Sequence, residues 1–266
     1  MYIPARLARS AALVLVLLPA AAQAELLADI RARGTLKVAT AELAPWVVRD
    51  AGGQLVGLEV DLAERLAADL GVKLELQALP FDTLVDRLAS GDVDVVAANL
   101  SITPARALRV AFTRPYGSSH IRAVVRLDRV GDEVEVDGLN VADIRLGVVT
   151  GSTASELAVE RFPLAEITEY ESQAALLAAL VDGPLSGALA SSPLPQRLVV
   201  EHQDRLRVVE GEPLRTTVEA LAVPQGEPVF LTFLDNWLDA LAAEGFIASS
   251  RRQWLGEEEP ETDPAP

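Results

Sequence analysis

Residues 57–71, with the sequence GLEVDLAERLAADLG, decide the fold of this chain. Leu62, Leu66 and Leu70 recur at helical spacing, so the stretch predicts an amphipathic helix. Gly71 is placed to end that helix, because glycine readily adopts the left-handed conformation found at helix C-termini. Segments 35–40 and 72–76 on either side predict strands, so the helix belongs to an α/β unit.

The same alternation of strand and helix continues along the chain. Further strands are predicted at residues 93–97, 122–126, 145–149, 166–170, 187–190, 207–209 and 221–223. Further helices are predicted at residues 26–32, 82–88, 154–161, 173–180 and 229–244, the last stopped by Gly245. Helices between strands imply parallel sheets covered on both faces, and the repeated pattern predicts two lobes. A ligand is then expected in the cleft between the lobes, outside the carboxyl ends of the strands.

Three further stretches extend the pattern begun at residues 57–62. Residues 84–94 read LVDRLASGDVD, residues 99–116 read NLSITPARALRVAFTRPY, and residues 147–153 read GVVTGST. In this order and spacing, the four stretches resemble the motifs of the bacterial periplasmic solute-binding proteins of family 3, the polar amino-acid binders. The resemblance spans residues 28–256, and it departs at Ala105, where the family has a glutamate.

The resemblance implies a type II periplasmic-binding-protein fold, which is a two-lobed α/β fold with its ligand in the interlobe cleft. Residues 25–117 and 215–256 would form lobe 1, and residues 118–214 would form lobe 2. Two crossovers, near residues 116–122 and 213–221, would act as the hinge. Residues 257–266 form an acidic tail that is expected to be disordered.

Arg106 is the residue that the resemblance assigns to the ligand's carboxylate. A guanidinium group presents a planar fork of donors that fits a carboxylate bidentately, and a surface salt bridge is the alternative. Ser101 would offer a hydroxyl or backbone donor to the same carboxylate, and Asn99 would accept a hydrogen bond from the ligand. Thr103 is expected to cap the helix that begins at Pro104.

Gly151, Ser152 and Thr153 precede a predicted helix of lobe 2, whose N-terminus offers free N–H groups and a partial positive charge. Thr153 is the expected carboxylate contact, and plain N-capping by Ser152 or Thr153 is the alternative. In family terms Trp46 and Phe81 occupy loop positions at the cleft edge, with core packing as the alternative for each.

Ser191 marks the largest departure from the family pattern. Family members have the motif G-x-x-D-A-x-x-x-D in lobe 2, and the last aspartate of this motif pairs with the ligand's α-ammonium group. This chain has Ser191, or its neighbour Ser192, at that position. Burying an ammonium group without a carboxylate partner costs several kcal/mol, so carboxylate binding is still implied and ammonium binding is not.

The first residues and the composition predict the compartment. Residues 1–24 contain Arg6, Arg9, an apolar run at 11–18 and a small-residue site ending at Ala24, which together predict a cleaved secretory signal peptide. The chain has no cysteine, which excludes a disulfide, a thiolate metal site and a lipid-modified cysteine. The net charge of −16 disfavours binding to nucleic acid or anionic lipid. We therefore expect a periplasmic monomer that is not a lipoprotein.

These observations favour capture over catalysis. The predicted function is to bind a small carboxylate-bearing ligand, an amino acid or a related organic acid, for the membrane permease of an ABC importer, without a cofactor, a metal or enzymatic activity. His120 and His202 lack the spacing of zinc ligands, and the sequence around Ser152 lacks a G-x-S-x-G elbow. Two alternatives stay open: a stand-alone periplasmic sensor or regulatory module, and a dehydratase that uses a cleft acid such as Glu42 or Glu171.

Overall fold

The computed structural model describes residues 26–131 and 134–256. The predicted signal peptide and the acidic tail lie outside the described residues. The helices in chain order are α1 (Leu26–Arg33), α2 (Leu58–Leu70), α3 (Leu84–Ala89), α4 (Pro104–Ala107), α5 (Leu127–Val130), α6 (Thr153–Arg161), α7 (Gln173–Val181), α8 (Leu194–Glu201), α9 (Pro228–Ala243) and α10 (Phe246–Leu255). The strands are β1 (Thr35–Thr40), β2 (Val48–Arg49), β3 (Leu55–Val56), β4 (Lys73–Ala78), β5 (Val95–Val96), β6 (Val110–Phe112), β7 (Gly117–Arg126), β8 (Arg145–Val149), β9 (Glu166–Tyr170), β10 (Gly187–Ser191), β11 (Leu206–Val208), β12 (Arg215–Glu219) and β13 (Ala222–Pro224).

The chain folds into two α/β lobes, each built on its own sheet. The sheet of lobe 1 has the strand order β4-β1-β5-β13-β6, and the sheet of lobe 2 has the order β11-β7-β10-β8-β9 with β12 paired to β7. Within the first sheet β1 runs parallel to β4 and β5, and within the second β8 runs parallel to β9 and β10. The predicted two-lobed α/β fold is confirmed at this level.

The expectation of purely parallel sheets is wrong. Strand β13 runs antiparallel to both of its neighbours in lobe 1, and β7 runs antiparallel to β10 in lobe 2. Both strands lie next to a connection between the lobes. The chain therefore enters each sheet there from the opposite lobe, without the crossover helix that would make the strand parallel.

The two connections between the lobes run side by side. Strands β7 and β12 pair antiparallel, from Ile121 opposite Arg215 to Gly117 opposite Glu219. A two-stranded ribbon of this kind can bend while its ladder stays intact, which suits a hinge. The exact lobe boundaries at residues 117/118 and 214/215 stay a prediction.

Helix α2 confirms the expectation drawn from residues 57–71. It begins at Leu58 and ends at Leu70, and Gly71 adopts the left-handed conformation with φ of 69°. Its residues Leu58, Leu62 and Leu66 are fully buried in a core that also contains Phe230 and Leu234 of α9. The C-terminal segment thus completes the hydrophobic core of lobe 1.

Gly57 fixes the segment that carries Trp46. A Cβ atom at Gly57 would lie 2.0 Å from the backbone oxygen of Trp46, and the φ angle of Gly57 is +139°. Only glycine allows this approach, because it has no Cβ and tolerates a positive φ. The family-like glycine at the start of α2 therefore sets the position of an aromatic residue at the cleft.

Two helices were not predicted from the sequence. Gly245 follows α9 as its predicted stop, and it also begins a further helix, α10. Helix α8 was also missed, since its sequence LPQRLVVE contains Pro195 after the helix start at Leu194. Within residues 26–131 and 134–256, no helix has the length and apolar character that a membrane span requires.

Candidate functional site

A cavity lies between the two lobes and is lined by residues of both. It contains about 560 Å³ of space between atoms, part of which is open solvent. A cleft between two lobes is a common place for a small-molecule site. Its polar lining residues are Asn99, Ser101, Ser152, Thr153, Gln173 and Ser191. Its larger apolar lining residues are Leu43, Val149, Leu176, Leu189 and Leu194, together with Trp46 and Phe81.

Trp46 and Phe81 both line the cleft and pack into the core, which were the two alternatives that the sequence left open for each. Both residues line the cavity, and both are packed into the core, with 3% and 9% of their surfaces exposed. The indole Nε1 of Trp46 is buried and has no hydrogen-bond partner within the described residues. A buried N–H group without an acceptor is costly, and because Trp46 lines the cavity, its indole is a candidate for pairing with an acceptor of a bound molecule.

Arg106 lies at the boundary of the lobes and is 8% exposed. Its Nη1 donates to the backbone oxygen of Ser101 at 2.7 Å, and its Nη2 donates across the cleft to the backbone oxygen of Gly151 at 2.9 Å. The guanidinium lies 5.5 Å from the centre of the Phe81 ring, in a cation–π contact. Arg106 does not itself line the cavity in this closed cleft, but it contacts two residues that do, Ser101 and Phe81.

The charge of Arg106 has no direct carboxylate partner among the described residues. The hydrogen bonds of its Nη1 and Nη2 both end on neutral backbone oxygens. Burial lowers the pKa of its guanidinium, and the negative charge of Glu156 offsets this effect in part. A buried cation that has backbone oxygens and an aromatic ring around it, but no paired carboxylate, favours the approach of an anion.

The local capping predictions around Arg106 are confirmed. Thr103 precedes α4, and its Oγ1 accepts a hydrogen bond from the backbone N–H of Arg106 at 3.2 Å. Pro104 occupies the first helical position, where its missing N–H costs nothing. The Thr-Pro pair therefore fixes the short helix from which Arg106 projects.

The N-terminus of α6 faces the same cavity from lobe 2. Ser152 is its N-cap, since its Oγ accepts from the backbone N–H of Ser155 at 3.1 Å. Thr153 and Ala154 line the cavity, and their backbone N–H groups belong to the helix turn that has no internal acceptors. The hydroxyl of Thr153 lies 3.5 Å from that of Ser101 across the cleft. Ser152 thus caps the helix, and Thr153 remains the candidate for ligand contact.

Further contacts close the cleft. Gln173 donates from Nε2 to the backbone oxygen of Ala44 at 3.0 Å, which joins α7 of lobe 2 to lobe 1. Gly151 lies against Asp82, because a Cβ atom on Gly151 would come within 2.8 Å of the Asp82 Cβ. Together with the bond from Arg106 to Gly151, these contacts hold the two lobes in a closed arrangement.

The floor of the cleft is formed by Asn99 above a buried acid. Asn99 has a φ of 51°, an uncommon conformation for a residue other than glycine. Its backbone N–H donates to Glu59 Oε1 at 3.0 Å, and the hydroxyl of Tyr116 donates to both Glu59 oxygens. The pKa of Glu59 is raised to about 7, because burial and the negative charge of Glu219 outweigh the hydrogen bonds from Tyr116 and Asn99 and the charge of Arg251.

Ser191 and the apolar residues around it complete the lining on lobe 2. Ser191 ends β10 and lies opposite Ile121 of β7 in the sheet. It lines the cavity with Leu189, Ala190 and Leu194, and no acidic side chain is among the described lining residues. The structure therefore brings Asn99, Ser101, Ser152, Thr153, Ser191, Trp46 and Phe81 to one cavity, with Gly151 and Arg106 beside it.

Several lining residues were not anticipated from the sequence. Leu176, Leu189 and Leu194 resemble ordinary core residues, and their place in the cleft follows only from tertiary packing. Gln173 carried a weak signal, because it is the polar residue that opens the apolar helix sequence QAALLAALV after the N-cap Ser172. A buried polar side chain at that position needs a partner, which turns out to be Ala44 of the other lobe.

The fold and the interlobe cavity agree with the comparison to known protein families. The model of the bacterial extracellular solute-binding proteins, family 3, matches residues 36–257. The chain belongs to this family.

Similar proteins include both binders and an enzyme. The L-cystine-binding protein TcyJ of Escherichia coli (strain K12) is 25% identical over 232 residues, which cover 87% of this chain and 86% of TcyJ. Cyclohexadienyl dehydratase of Pseudomonas aeruginosa is 26% identical over 239 residues, which cover 88% of this chain and 87% of the enzyme. The family is thus mainly one of solute-binding proteins, and it includes a catalytic relative.

A solved structure of similar fold is that of the ancestral amino acid-binding protein AncCDT-1, a precursor of cyclohexadienyl dehydratase. It is 29% identical, has a TM-score of 0.79, and the match covers 86% of this chain and 99% of that chain. This agreement over nearly the whole of the compared structure identifies the fold as that of a two-lobed periplasmic amino-acid-binding protein.

Proposed function

We propose that this chain is a periplasmic solute-binding protein that captures a small carboxylate-bearing ligand in the interlobe cleft and delivers it to an ABC importer. The observation that carries the proposal is Arg106, a buried cation at the meeting of the lobes whose hydrogen bonds end on neutral oxygens. Since the whole chain is acidic, a local cation is what an anionic ligand requires here.

The geometry suggests how the ligand reaches Arg106. Of the two guanidinium nitrogens that make hydrogen bonds, Nη2 donates to the backbone oxygen of Gly151, which belongs to lobe 2. Separation of the lobes carries Gly151 away and releases this donor, while Nη1 stays bonded to Ser101 within lobe 1. A carboxylate that enters the open cleft replaces the Gly151 oxygen and gains the Thr153 end of α6 when the lobes close.

We propose binding rather than catalysis as the role of this cleft. Dehydration needs a group that transfers protons to the substrate, and the described lining residues offer no carboxylate, imidazole or amine. Glu171 and Glu42, the acids considered from the sequence, line a neighbouring pocket at the mouth of the cleft, and Glu42 pairs with Arg49 at 2.6 Å. The family's many binding proteins support the same role.

The predicted signal peptide and the family's extracellular character support a periplasmic location. Delivery to the permease of an ABC importer is inferred from relatives such as the putative ABC transporter arginine-binding protein 2 of Escherichia coli (strain K12). The absence of cysteine supports release as a free protein rather than as a lipoprotein, and we propose that it acts as a monomer.

The test is substitution of Arg106, with titration calorimetry on a carboxylate selected by a thermal-shift screen. We expect Arg106→Ala to weaken binding about 100-fold, or about 2.7 kcal/mol, because a buried charge-assisted bidentate contact is lost. Arg106→Lys should recover little of this affinity, since an ammonium group lacks the planar fork.

Arg109 provides a matched control for Arg106. It lies three residues further along the chain, is exposed, and pairs with Asp86 on the surface of lobe 1. Arg109→Ala removes the same charge from the same part of the protein and should leave affinity within about twofold. Equal losses in the two variants would show a general charge effect and would refute the assigned role of Arg106.

A further inference from the structure

The lining of the cleft offers donors and apolar surface to a ligand, and no anion. Its polar side chains are three serine or threonine hydroxyls at residues 101, 152 and 153, a further serine at 191, and the amides of Asn99 and Gln173. Arg106 beside them is positively charged. A ligand carboxylate is therefore neutralised in this cleft, whereas a ligand ammonium group meets only neutral acceptors and a nearby cation.

The acids around the cleft are engaged elsewhere or lie outside it. Glu59 lies beneath Asn99, and its oxygens accept hydrogen bonds from Tyr116 and from the Asn99 backbone. Glu42 pairs with Arg49 on the surface. Glu171 is exposed at the cleft mouth, in the neighbouring pocket. Glu219 bridges to Ser101 through its backbone, and its buried carboxylate accepts from Ser119 and pairs with Arg251. None of these four acids is among the described residues that line the cavity.

Trp46 adds an independent observation about the ligand. Its indole Nε1 is buried without a partner within the described residues, and Trp46 lines the cavity. An indole N–H can only donate, so the group that satisfies it must be an acceptor such as a carbonyl or hydroxyl oxygen. An ammonium group has no lone pair and cannot serve.

We propose that the ligand is a carboxylate with an apolar body and a neutral oxygen acceptor in place of the ammonium group of an amino acid. A 2-oxo acid with an aliphatic side chain has this chemistry. Its carboxylate meets Arg106, its second oxygen meets Trp46, and its side chain packs among Leu176, Leu189 and Leu194. This inference rests on the proposed function, because it takes Arg106 as the carboxylate anchor.

Matched ligands show whether the cleft prefers an oxo group or an amino group beside the carboxylate. The probes 4-methyl-2-oxopentanoate, L-leucine and 4-methylpentanoate share a branched chain and a carboxylate and differ only in the oxo group, the amino group or neither. The corresponding sets with the side chains of alanine, valine and phenylalanine cover other sizes. Titration calorimetry on the purified protein is expected to give at least about 10-fold tighter binding of the 2-oxo acid than of the amino acid, a difference of ~1.4 kcal/mol.

Two pairs of variants test the residues behind this preference. Ser191→Asp supplies a counter-charge for an ammonium group, and Ser191→Asn is its neutral control of the same size. The preference for the 2-oxo acid over the amino acid should fall at least about 10-fold in the aspartate variant relative to the asparagine variant. Trp46→Phe keeps an aromatic ring and removes the N–H. It should lower the affinity for the 2-oxo acid about fivefold or more and change the affinity for 4-methylpentanoate by no more than about twofold.

The outcomes distinguish this inference from the function on which it rests. Amino acids that bind as well as or better than their 2-oxo analogues would overturn the inference and leave carboxylate capture intact. Equal effects of Trp46→Phe on both carboxylates would remove the assigned role of the indole N–H and overturn that part of the proposal. Failure of every carboxylate in the series to bind would refute the proposed function itself.

Discussion

Glu59 is a fully buried carboxyl group at the floor of the cleft, and its environment makes it sensitive to pH. Its pKa is raised to about 7, because burial and the negative charge of Glu219 outweigh the opposing effects of Tyr116, the Asn99 backbone and Arg251. Because the folded-state pKa lies above the ordinary value of 4.5, the unfolded chain releases this proton first as the pH rises. Glu59 therefore lowers stability progressively between about pH 4.5 and 7, and its effect is constant outside that window.

The substitution Glu59→Gln tests this reasoning, because glutamine keeps an oxygen acceptor and cannot ionise. The free energy of unfolding of the variant, relative to the unsubstituted protein, should rise by about 3 kcal/mol between pH 4.5 and 8. Urea denaturation across this range provides the measurement. Glu64→Gln, on the exposed face of the same helix, serves as the control for replacing a glutamate of α2 by glutamine. A flat difference for Glu59→Gln would mean that Glu59 titrates normally.

At the residue scale, the sequence predicted what depends on neighbours in the chain. Thr103 as a cap, Pro104 at a helix start and Ser152 before α6 are local patterns, and the structure confirms them. The unpartnered indole of Trp46 and the bond from Gln173 to Ala44 depend on groups far away in sequence. No local pattern encodes such contacts, so sequence reasoning could not supply them.

Among the elements, the loop before α6 is the one that most directly couples the lobes. Gly151 has a φ of +70°, and a Cβ atom on it would come within 2.8 Å of the Asp82 Cβ in lobe 1. We expect Gly151→Ala to prevent full closure and to weaken ligand binding about 10-fold or more, as measured by calorimetry. The radius of gyration of the variant with ligand, from small-angle scattering, should stay closer to that of the open form.

The variant Gly34→Ala is the control that distinguishes loss of lobe closure from backbone strain. Its φ of +71° matches that of Gly151, but a Cβ atom on it would meet nothing within 4 Å. Gly34→Ala should therefore lower the unfolding free energy by about 1 kcal/mol, the same backbone strain as in Gly151→Ala, and leave the affinity for the ligand unchanged. Comparable affinity loss in both variants would contradict the role given to the contact between Gly151 and Asp82.

Sequence reasoning predicted the regular elements well and the connecting ones poorly. Strand β1 and helix α2 have strong periodic patterns, and the structure places them close to the expected bounds. Strand β12 lies within the crossover predicted at residues 213–221, but its pairing with β7 into one ribbon was not predicted, because no local pattern encodes that contact. Helix α10 was missed because a glycine that ends one helix can also begin the next one, with only Ile247, Ser250 and Leu255 buried.

On the scale of the whole molecule, the features that matter for binding are the closure of the two lobes and the distribution of charge. Residues of both lobes meet in one hydrophobic cluster, which includes Phe81 of lobe 1 and Val149 of lobe 2. Closing the cleft therefore buries apolar surface, and we assign to Arg106 the charge that would select an anion against an acidic background. The family resemblance predicted the cleft and Arg106, but the closed contacts and the donor-rich lining required the structure.

The most direct test of the central claim measures whether the ligand's negative charge and Arg106 recognise each other. Affinities of 4-methyl-2-oxopentanoate and its primary amide, or of L-leucine and its amide if that acid binds more tightly, are measured on the unsubstituted protein, Arg106→Ala and Arg109→Ala. We predict that the unsubstituted protein and Arg109→Ala prefer the carboxylate about 100-fold, and that Arg106→Ala prefers it by no more than about threefold. A preference for the carboxylate in Arg106→Ala as large as in the unsubstituted protein would contradict the account.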